Sequence, residues 1–297
     1  MSLLIYGQVC AKIYYYYLLR DKFFSFIYHL LIGKIYYYRN MNITRIIAIA
    51  HNGFREVIRD RILYVIGFFA LLLLLASRIL PSIAVSADEK ILLDLGIGAI
   101  NLLGVIVAIF VGTGLINKEI EKKTVLILVP KPINTAEFII GKHIGLVAVL
   151  TILVAIMTIL YLGIMTISGV EYPLGSLLIA LVYIVLELSL LTAFAITFGV
   201  FTSSILATLL SFGVYIMGHL SRDLLELGKI TENESIENLT RTLFLILPDL
   251  ERLNLKNEAV YNILPPTGEL INSLIYALLY IVLLLTISIT IFSRRQF

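Results

Sequence analysis

The chain has 297 residues, of which 60% are hydrophobic and only 14% are charged, and its mean hydropathy is +0.98. A soluble domain carries about 25% charged residues, so the apolar surplus of this chain has to face lipid. The net charge of +3 gives no sign of nucleic-acid binding, and the single cysteine, Cys10, excludes a disulfide framework or a thiolate metal cluster. The four histidines lack the spacing of a ligand motif, so no metal site is predicted.

The first forty residues are low in complexity and rich in Tyr, Phe and Lys. They lack the short apolar core and the small-residue cleavage site of a signal peptide. We interpret residues 1–40 as an extension outside the native protein, with translation starting at Met41. A helix lying in the membrane surface is the alternative, because Tyr and Lys suit that interface. Residues 41–297 are predicted to form one transmembrane domain.

An amphipathic helix is predicted between Met41 and the first long apolar stretch, because apolar residues recur there every three or four positions. Phe54 belongs to its apolar face, and Arg45, Arg55 and Arg59 lie on the other face. Such a helix lies in the membrane surface and contacts lipid, with its basic face towards the cytoplasm. It serves either as an anchor that sets the topology or as an elbow against which a cytoplasmic partner pushes.

Six stretches are long and apolar enough to cross the membrane, which takes about 20 residues for about 30 Å of hydrocarbon. The chain is therefore predicted to be an all-α, polytopic membrane protein. The predicted spans are residues 62–80, 92–116, 138–167, 176–201, 205–220 and 271–292. Segment 221–270 is more polar, and we expect it to form external helices that cap a cavity.

Lysines and arginines in the short loops indicate the orientation, because they accumulate on the cytoplasmic side. They precede the first span, crowd the connection between the second and third spans, and end the chain at Arg294 and Arg295. The connection at residues 168–175 has none, and segment 221–270 has more acids than bases. With six spans, both termini are predicted to be cytoplasmic and the protein to lie in the cell membrane.

The connection between the second and third spans begins with a charged, helical part and continues with the apolar residues 125–129. Pro130 and Pro132 then end any helix, because proline lacks the N–H and clashes with the preceding turn. Asn134 or Thr135 can cap a new helix, whose first turn carries a favourable acid. The pattern predicts a short helix, a stiff turn and re-entry into the membrane, with an ordinary amphipathic cytoplasmic loop as the alternative.

This connection resembles the cytoplasmic loop of type-2 ATP-binding-cassette exporter permeases. The resemblance rests on Lys-Glu-x-Glu-x-Lys-Thr from Lys118, on two prolines after Leu128, and on Glu-Phe-x-x-Gly-Lys from Glu137. The amphipathic helix, the six spans, the run Leu-Pro-Asp-Leu-Glu-Arg-Leu-Asn at 247–254 and the terminal Phe-Ser-Arg-Arg also match that family. The resemblance covers residues 41–297 and does not indicate the substrate.

The resemblance implies a permease subunit of an exporter that is driven by a separate ATPase subunit. In such exporters the loop after the second span forms a coupling helix, here residues 119–129, which docks on the ATPase. The residues assigned to this contact or to its turn are Lys118, Glu119, Glu121, Lys122, Lys123, Thr124, Leu128, Pro130 and Pro132. Because six spans supply half a pathway, a second permease subunit, identical or different, is predicted to complete it.

The chain has no phosphate-binding loop of the form GxxxxGK[ST]. Its three Gly-Lys pairs lack both the upstream glycine and the following Ser or Thr. We therefore predict no enzymatic activity and no cofactor for this chain, and expect ATP and Mg²⁺ to bind to the partner ATPase.

Three polar residues inside predicted spans are candidates for a translocation path. Glu187 lies near the middle of the fourth span, and Asn101 and Asp94 lie in the outer part of the second. The alternative is that these side chains join helices through hydrogen bonds, each contributing about 0.6 kcal/mol.

Two other classes of function stay open. A secondary transporter driven by an ion gradient should show repeated halves and several charges inside the membrane. The sequence shows no convincing repeat and has only Glu187 at depth. A membrane scaffold without transport activity is the other class. A membrane-embedded protease is disfavoured, because its acids, histidines or Ser/His pair would have to converge within the spans.

Overall fold

The computed structural model describes residues 42–59, 62–83, 88–121, 134–231 and 234–294. Within these ranges the chain is all-helical, without a strand, which confirms the all-α part of the predicted fold class. The interpretation of residues 1–40 lies outside the described residues, as does the predicted turn around the two prolines.

Nine α-helices and one short 3-10 helix occur in the described ranges. The α-helices are α1 (Ile43–Arg59), α2 (Ile62–Ile83), α3 (Asp88–Glu121), α4 (Thr135–Ile167), α5 (Leu174–Phe201), α6 (Ser204–Ile230), α7 (Glu234–Ile246), α8 (Lys256–Val260) and α9 (Thr267–Arg294). The 3-10 helix, Leu250–Leu253, lies between α7 and α8.

Within the described residues, five helices are long and apolar enough to cross a membrane: α3, α4, α5, α6 and α9. The predicted first span corresponds to α2, which contributes the shorter apolar stretch Tyr64–Ile79. The exact number of six spans therefore stays a prediction. Among the five, α5 is the most buried, and it packs against α3, α4, α6 and α9 at the centre of the bundle.

Helix α6 is longer than the span predicted from the sequence. It continues past residue 220 to Ile230, and its apolar segment reaches Gly228. The predicted end was placed before Arg222, the first of several charged residues. Arginine is a good helix former, so the helix can continue through Arg222, which pairs with Asp249 in the folded chain.

Helix α1 packs closely against the first part of α4. Gly141 and Gly145 lie one turn apart on α4 and face it. A Cβ atom on Gly145 would lie 2.6 Å from the carbonyl oxygen of Ala50, and one on Gly141 would lie 2.8 Å from the Cβ of Ile49. The two helices therefore approach to a distance that only glycine permits at these positions.

Charged groups join the same two helices. Arg45 on α1 lies 3.8 Å from the buried carboxylate of Glu137, and Lys142 lies 3.6 Å from Glu56 on α1. Asn134 caps α4, and its backbone N–H donates to Glu137 at 3.3 Å, which completes a capping box. The predicted helix start at this position is confirmed.

Part of the predicted external segment returns to the bundle. The 3-10 helix packs against α5, α6 and α9, with Leu250 and Leu253 fully buried. At Gly218 on α6 a Cβ atom would lie 2.7 Å from the side chain of Leu250. The turn therefore lies between spans rather than over them.

Candidate functional site

Glu187 lies on the central helix α5, the most buried of the candidate spans, and its side chain is fully buried. A carboxylate in such a place needs hydrogen-bond or charge partners. Asn101 on α3 donates from Nδ2 to Oε2 of Glu187 at 2.7 Å. The Nε2 atom of His219 on α6 lies 2.9 Å from Oε1.

His219 joins two carboxylates. Its Nδ1 atom lies 3.0 Å from Oε2 of Glu251 on the 3-10 helix. Asn254 in turn donates from Nδ2 to both oxygens of Glu251, at 3.0 and 3.1 Å. The imidazole therefore bridges Glu187, which is wholly buried, and Glu251, which is partly exposed.

The two contacts of His219 restrict where protons can lie in this bridge. An ionised carboxylate only accepts hydrogen bonds, so both contacts of His219 exist when both ring nitrogens carry hydrogen. The same two protons can be shared differently, with a neutral ring and one protonated acid. In either arrangement Glu187, His219 and Glu251 together carry one negative charge. The bridge is a place where a proton can be held and moved between buried and exposed groups.

Tyr215 completes what we call the polar network. Its hydroxyl donates to Oδ1 of Asn101 at 3.3 Å, and its ring packs edge-on against His219, with centroids 4.8 Å apart. Tyr215 and His219 lie one turn apart on α6. The network thus connects α3, α5, α6 and the 3-10 helix, and any movement between these elements has to break one of its bonds.

Glu251 belongs to the 3-10 helix, which is not one of the membrane-spanning helices. The hydrogen bond from His219 lowers the pKa of its carboxyl below the ordinary value of 4.5, and the bond from Asn254 acts in the same direction. Partial burial opposes both. The net effect keeps Glu251 ionised and able to accept both bonds.

The structure brings together two of the three residues predicted for a translocation path. Glu187 and Asn101 are hydrogen-bonded to each other. Asp94 lies about two turns away on α3 and does not join the network. Its Oδ1 atom is buried and has no hydrogen-bond partner among the described residues.

The residues predicted to contact an ATPase lie at or beyond the end of α3. Lys118, Glu119 and Glu121 belong to the last turn of that helix, which ends at Glu121. The other six, which lie outside the described residues, are Lys122, Lys123, Thr124, Leu128, Pro130 and Pro132. A separate coupling helix from residue 119 to 129 therefore stays a prediction, and its first residues continue α3.

The predicted interfacial residues lie on α1, which forms over the range expected. Arg45 contacts Glu137, Phe54 is half-buried, Arg55 is exposed, and Arg59 is the last residue of the helix.

Sequence reasoning missed His219, Glu251, Tyr215 and Asn254. The sequence contains one usable signal for these residues and one incomplete signal. Tyr215 and His219 have the four-residue spacing that places side chains on one helix face. The run at 247–254 carries Glu251 and Asn254, but on its own it gave no sign of folding back between spans.

No group of three histidine, cysteine, aspartate or glutamate side chains in the described part of the chain is arranged to hold a metal ion.

Long apolar helices joined through a buried polar network define a polytopic α-helical membrane protein. Its sequence matches the family model described as ABC-2 family transporter protein over residues 47–297. The chain therefore belongs to the ABC-2 transporter family, which confirms the resemblance noted in its loop. No curated protein matches the sequence.

Proposed function

We propose that this chain is the membrane-spanning permease subunit of an ATP-binding-cassette exporter. The observation that carries the proposal is the family match over residues 47–297, since permeases of the ABC-2 family typically work with an ABC-type ATPase. ATP and Mg²⁺ bind to that partner, and this chain contributes no catalytic residue. A second permease subunit completes the pathway.

The packing of α1 on α4 supports a mechanical role for the cytoplasmic end of the bundle. The predicted coupling segment joins the end of α3 to the start of α4, and its two prolines make it stiff. Gly141 and Gly145 hold α1 against the same part of α4. A push on the segment then moves α1 and α4 together, which favours the elbow interpretation of α1 over that of a simple anchor.

The polar network supports a role for Glu187 and Asn101 in the conformational cycle. Alternating access requires α3, α5 and α6 to move relative to one another, and these are the helices that the network joins. Its buried charges stabilise one arrangement of the helices, and ATP binding drives them into another.

Charge reversal in the coupling segment tests the proposal. The permease is co-expressed with a candidate ABC-type ATPase that carries the GxxxxGK[ST] motif, and the complex is purified through the permease. We expect the double substitution Glu119→Lys, Glu121→Lys to release the ATPase and abolish permease-dependent ATP hydrolysis. The matched control is Glu171→Lys, a charge reversal of an exposed acid in the loop between α4 and α5. No retention of the ATPase by the unmodified permease, or equal retention in both variants, contradicts the proposal.

An ion-driven transporter is the second candidate, and one observation favours it. His219 lies between two carboxylates, as a proton-carrying site requires. Uptake into vesicles discriminates the two functions. Transport that stops when the partner ATPase is inactivated supports the exporter, whereas transport that stops only when the proton gradient is dissipated supports the ion-driven alternative.

A further inference from the structure

Two arginines share one buried aspartate where α6, the 3-10 helix and α9 meet. Arg222 donates from Nε to the two oxygens of Asp249 at 3.2 and 3.0 Å, and Arg252 donates from Nε to Oδ2 at 2.8 Å. Tyr276 on α9 accepts a bond from the backbone N–H of Asp249 at 2.9 Å, and its ring centre lies 5.3 Å from the Arg252 guanidinium. Both guanidinium groups are therefore held in place.

The cluster of Arg222, Arg252 and Asp249 has a net positive charge. Arginine stays charged in proteins, and Asp249 compensates only one of the two guanidinium groups. Both arginines use Nε for the aspartate, and within the described part of the chain their Nη groups have no hydrogen-bond partner. The side chains of Arg222 and Arg252 are 49% and 42% exposed, so these donors are accessible.

Other charged side chains nearby do not supply the missing anion. Asp223 and Glu226 follow Arg222 on α6, but they are exposed and form no ion pair with it among the described residues. Glu251 is committed to His219 and Asn254.

The surface beside the cluster is apolar. Tyr276 is flanked on α9 by Ile275 and Leu279, which are 48% and 59% exposed and lie on a helix long enough to cross the membrane. A basic pair above an apolar strip matches a molecule with an anionic head and hydrocarbon chains.

We propose that Arg222 and Arg252 bind the phosphate group of a phospholipid, whose acyl chains lie along α9 beside Ile275 and Leu279. Planar guanidinium groups match pairs of phosphate oxygens, and a phosphate diester carries the single negative charge that the cluster lacks. The site is independent of the transport activity proposed above.

Native mass spectrometry of the full chain in a non-ionic maltoside detergent tests the site. Three probes are titrated: phosphatidylglycerol, a diacylglycerol with the same acyl chains, and glycerol 3-phosphate. We expect phosphatidylglycerol to bind the unmodified chain and to bind the double variant Arg222→Gln, Arg252→Gln at least about tenfold more weakly, since charge-assisted bonds are lost. The matched control is Arg241→Gln, which removes one exposed charge from α7 and should leave the affinity unchanged.

Equal affinity for phosphatidylglycerol in the double variant and in Arg241→Gln overturns the proposal. Displacement of the lipid by an equal concentration of glycerol 3-phosphate overturns the lipid assignment and gives the site to a soluble phosphate ester. Because the double variant leaves Asp249 buried and unpaired, the triple variant Asp249→Asn, Arg222→Gln, Arg252→Gln is measured beside it. If neither variant folds, the Tm of the unmodified chain is measured with each lipid. The proposal is overturned if diacylglycerol raises this Tm as much as phosphatidylglycerol does.

Discussion

At the level of single residues, His219 is the member of the network that contacts both carboxylates, Glu187 and Glu251. Replacing it with alanine leaves Glu187 buried with only Asn101 as a partner. Removing one member of a buried charge pair costs about 3–5 kcal/mol, so we expect His219→Ala to lower the Tm of the purified chain by roughly 6 °C or more. The control is His51→Ala, because His51 is exposed on α1 and should be nearly neutral. Similar Tm values for the two variants would show that the bridge contributes little.

Glu251 gives a prediction about pH. Its folded-state pKa is lower than the ordinary value of 4.5, so its ionised form adds stability above that value. The contribution is lost as the pH falls through the lowered folded-state pKa. We expect the Tm difference between the unmodified chain and Glu251→Gln to be largest near pH 6 and to shrink towards about pH 3. Glu171→Gln, at an exposed loop position, is the control, and a Glu251→Gln difference that does not change with pH contradicts the assignment.

Glu187 could be found from the sequence, whereas its main partner could not. A carboxylate in a long apolar stretch stands out by composition alone. His219 is 32 positions away from both Glu187 and Glu251, and the contact depends on the 3-10 helix folding back between spans. That return follows from tertiary packing of Leu250 and Leu253, which local pattern does not encode.

At the level of secondary-structure elements, the α1–α4 contact depends on two glycines. A Cβ atom on Gly145 would lie 2.6 Å from a backbone oxygen of α1, and backbone cannot move aside as a flexible side chain can. We therefore expect Gly145→Ala to displace α1, lower the Tm, and reduce permease-dependent ATP hydrolysis in the proposed complex. The control is Gly163→Ala on the same helix, where a Cβ meets no atom within 4 Å.

Gly163→Ala should be neutral or raise stability by about 0.5–1 kcal/mol, because alanine favours the helix. An equal decrease in Tm and in ATP hydrolysis in both variants would mean that helix propensity, rather than the α1 contact, determines the result.

The element boundaries were predictable where a strong local signal exists. Helix α4 begins after its Asn134 cap, and α5 ends at Phe201 as predicted. The predicted span 205–220 lies within α6, which continues to Ile230, and the point at which this helix leaves the membrane stays a prediction.

At the level of the whole molecule, the topology is open to a direct test. In a Cys10→Ser background, single cysteines are placed at three exposed positions: Asn52 on α1, Glu171 between α4 and α5, and Ser293 near the end of α9. We expect a membrane-impermeant maleimide to label Glu171→Cys in intact cells, and to label Asn52→Cys and Ser293→Cys only after permeabilisation. Labelling of Asn52→Cys from outside would mean that α2 does not cross the membrane.

Fold class and family followed from the sequence because neither depends on contacts between distant segments. The length of the apolar stretches indicates an all-helical membrane protein. The family resemblance rests on a loop whose charges and prolines are local. The polar network and the arginine pair depend on contacts between distant segments, so the sequence could indicate only single members of them.

Helix α3 is uninterrupted over 34 residues, from Asp88 to Glu121, and it carries Asn101 into the network. One residue inserted after Asn101 would rotate everything beyond it by about 100° and shift it by about 1.5 Å. The network therefore depends on the helical phase of α3 as well as on the identity of its side chains. A single codon gained or lost between Asn101 and Glu121 would turn one end of α3 away from its partners, whereas an exchange of side chains would keep the two ends in phase.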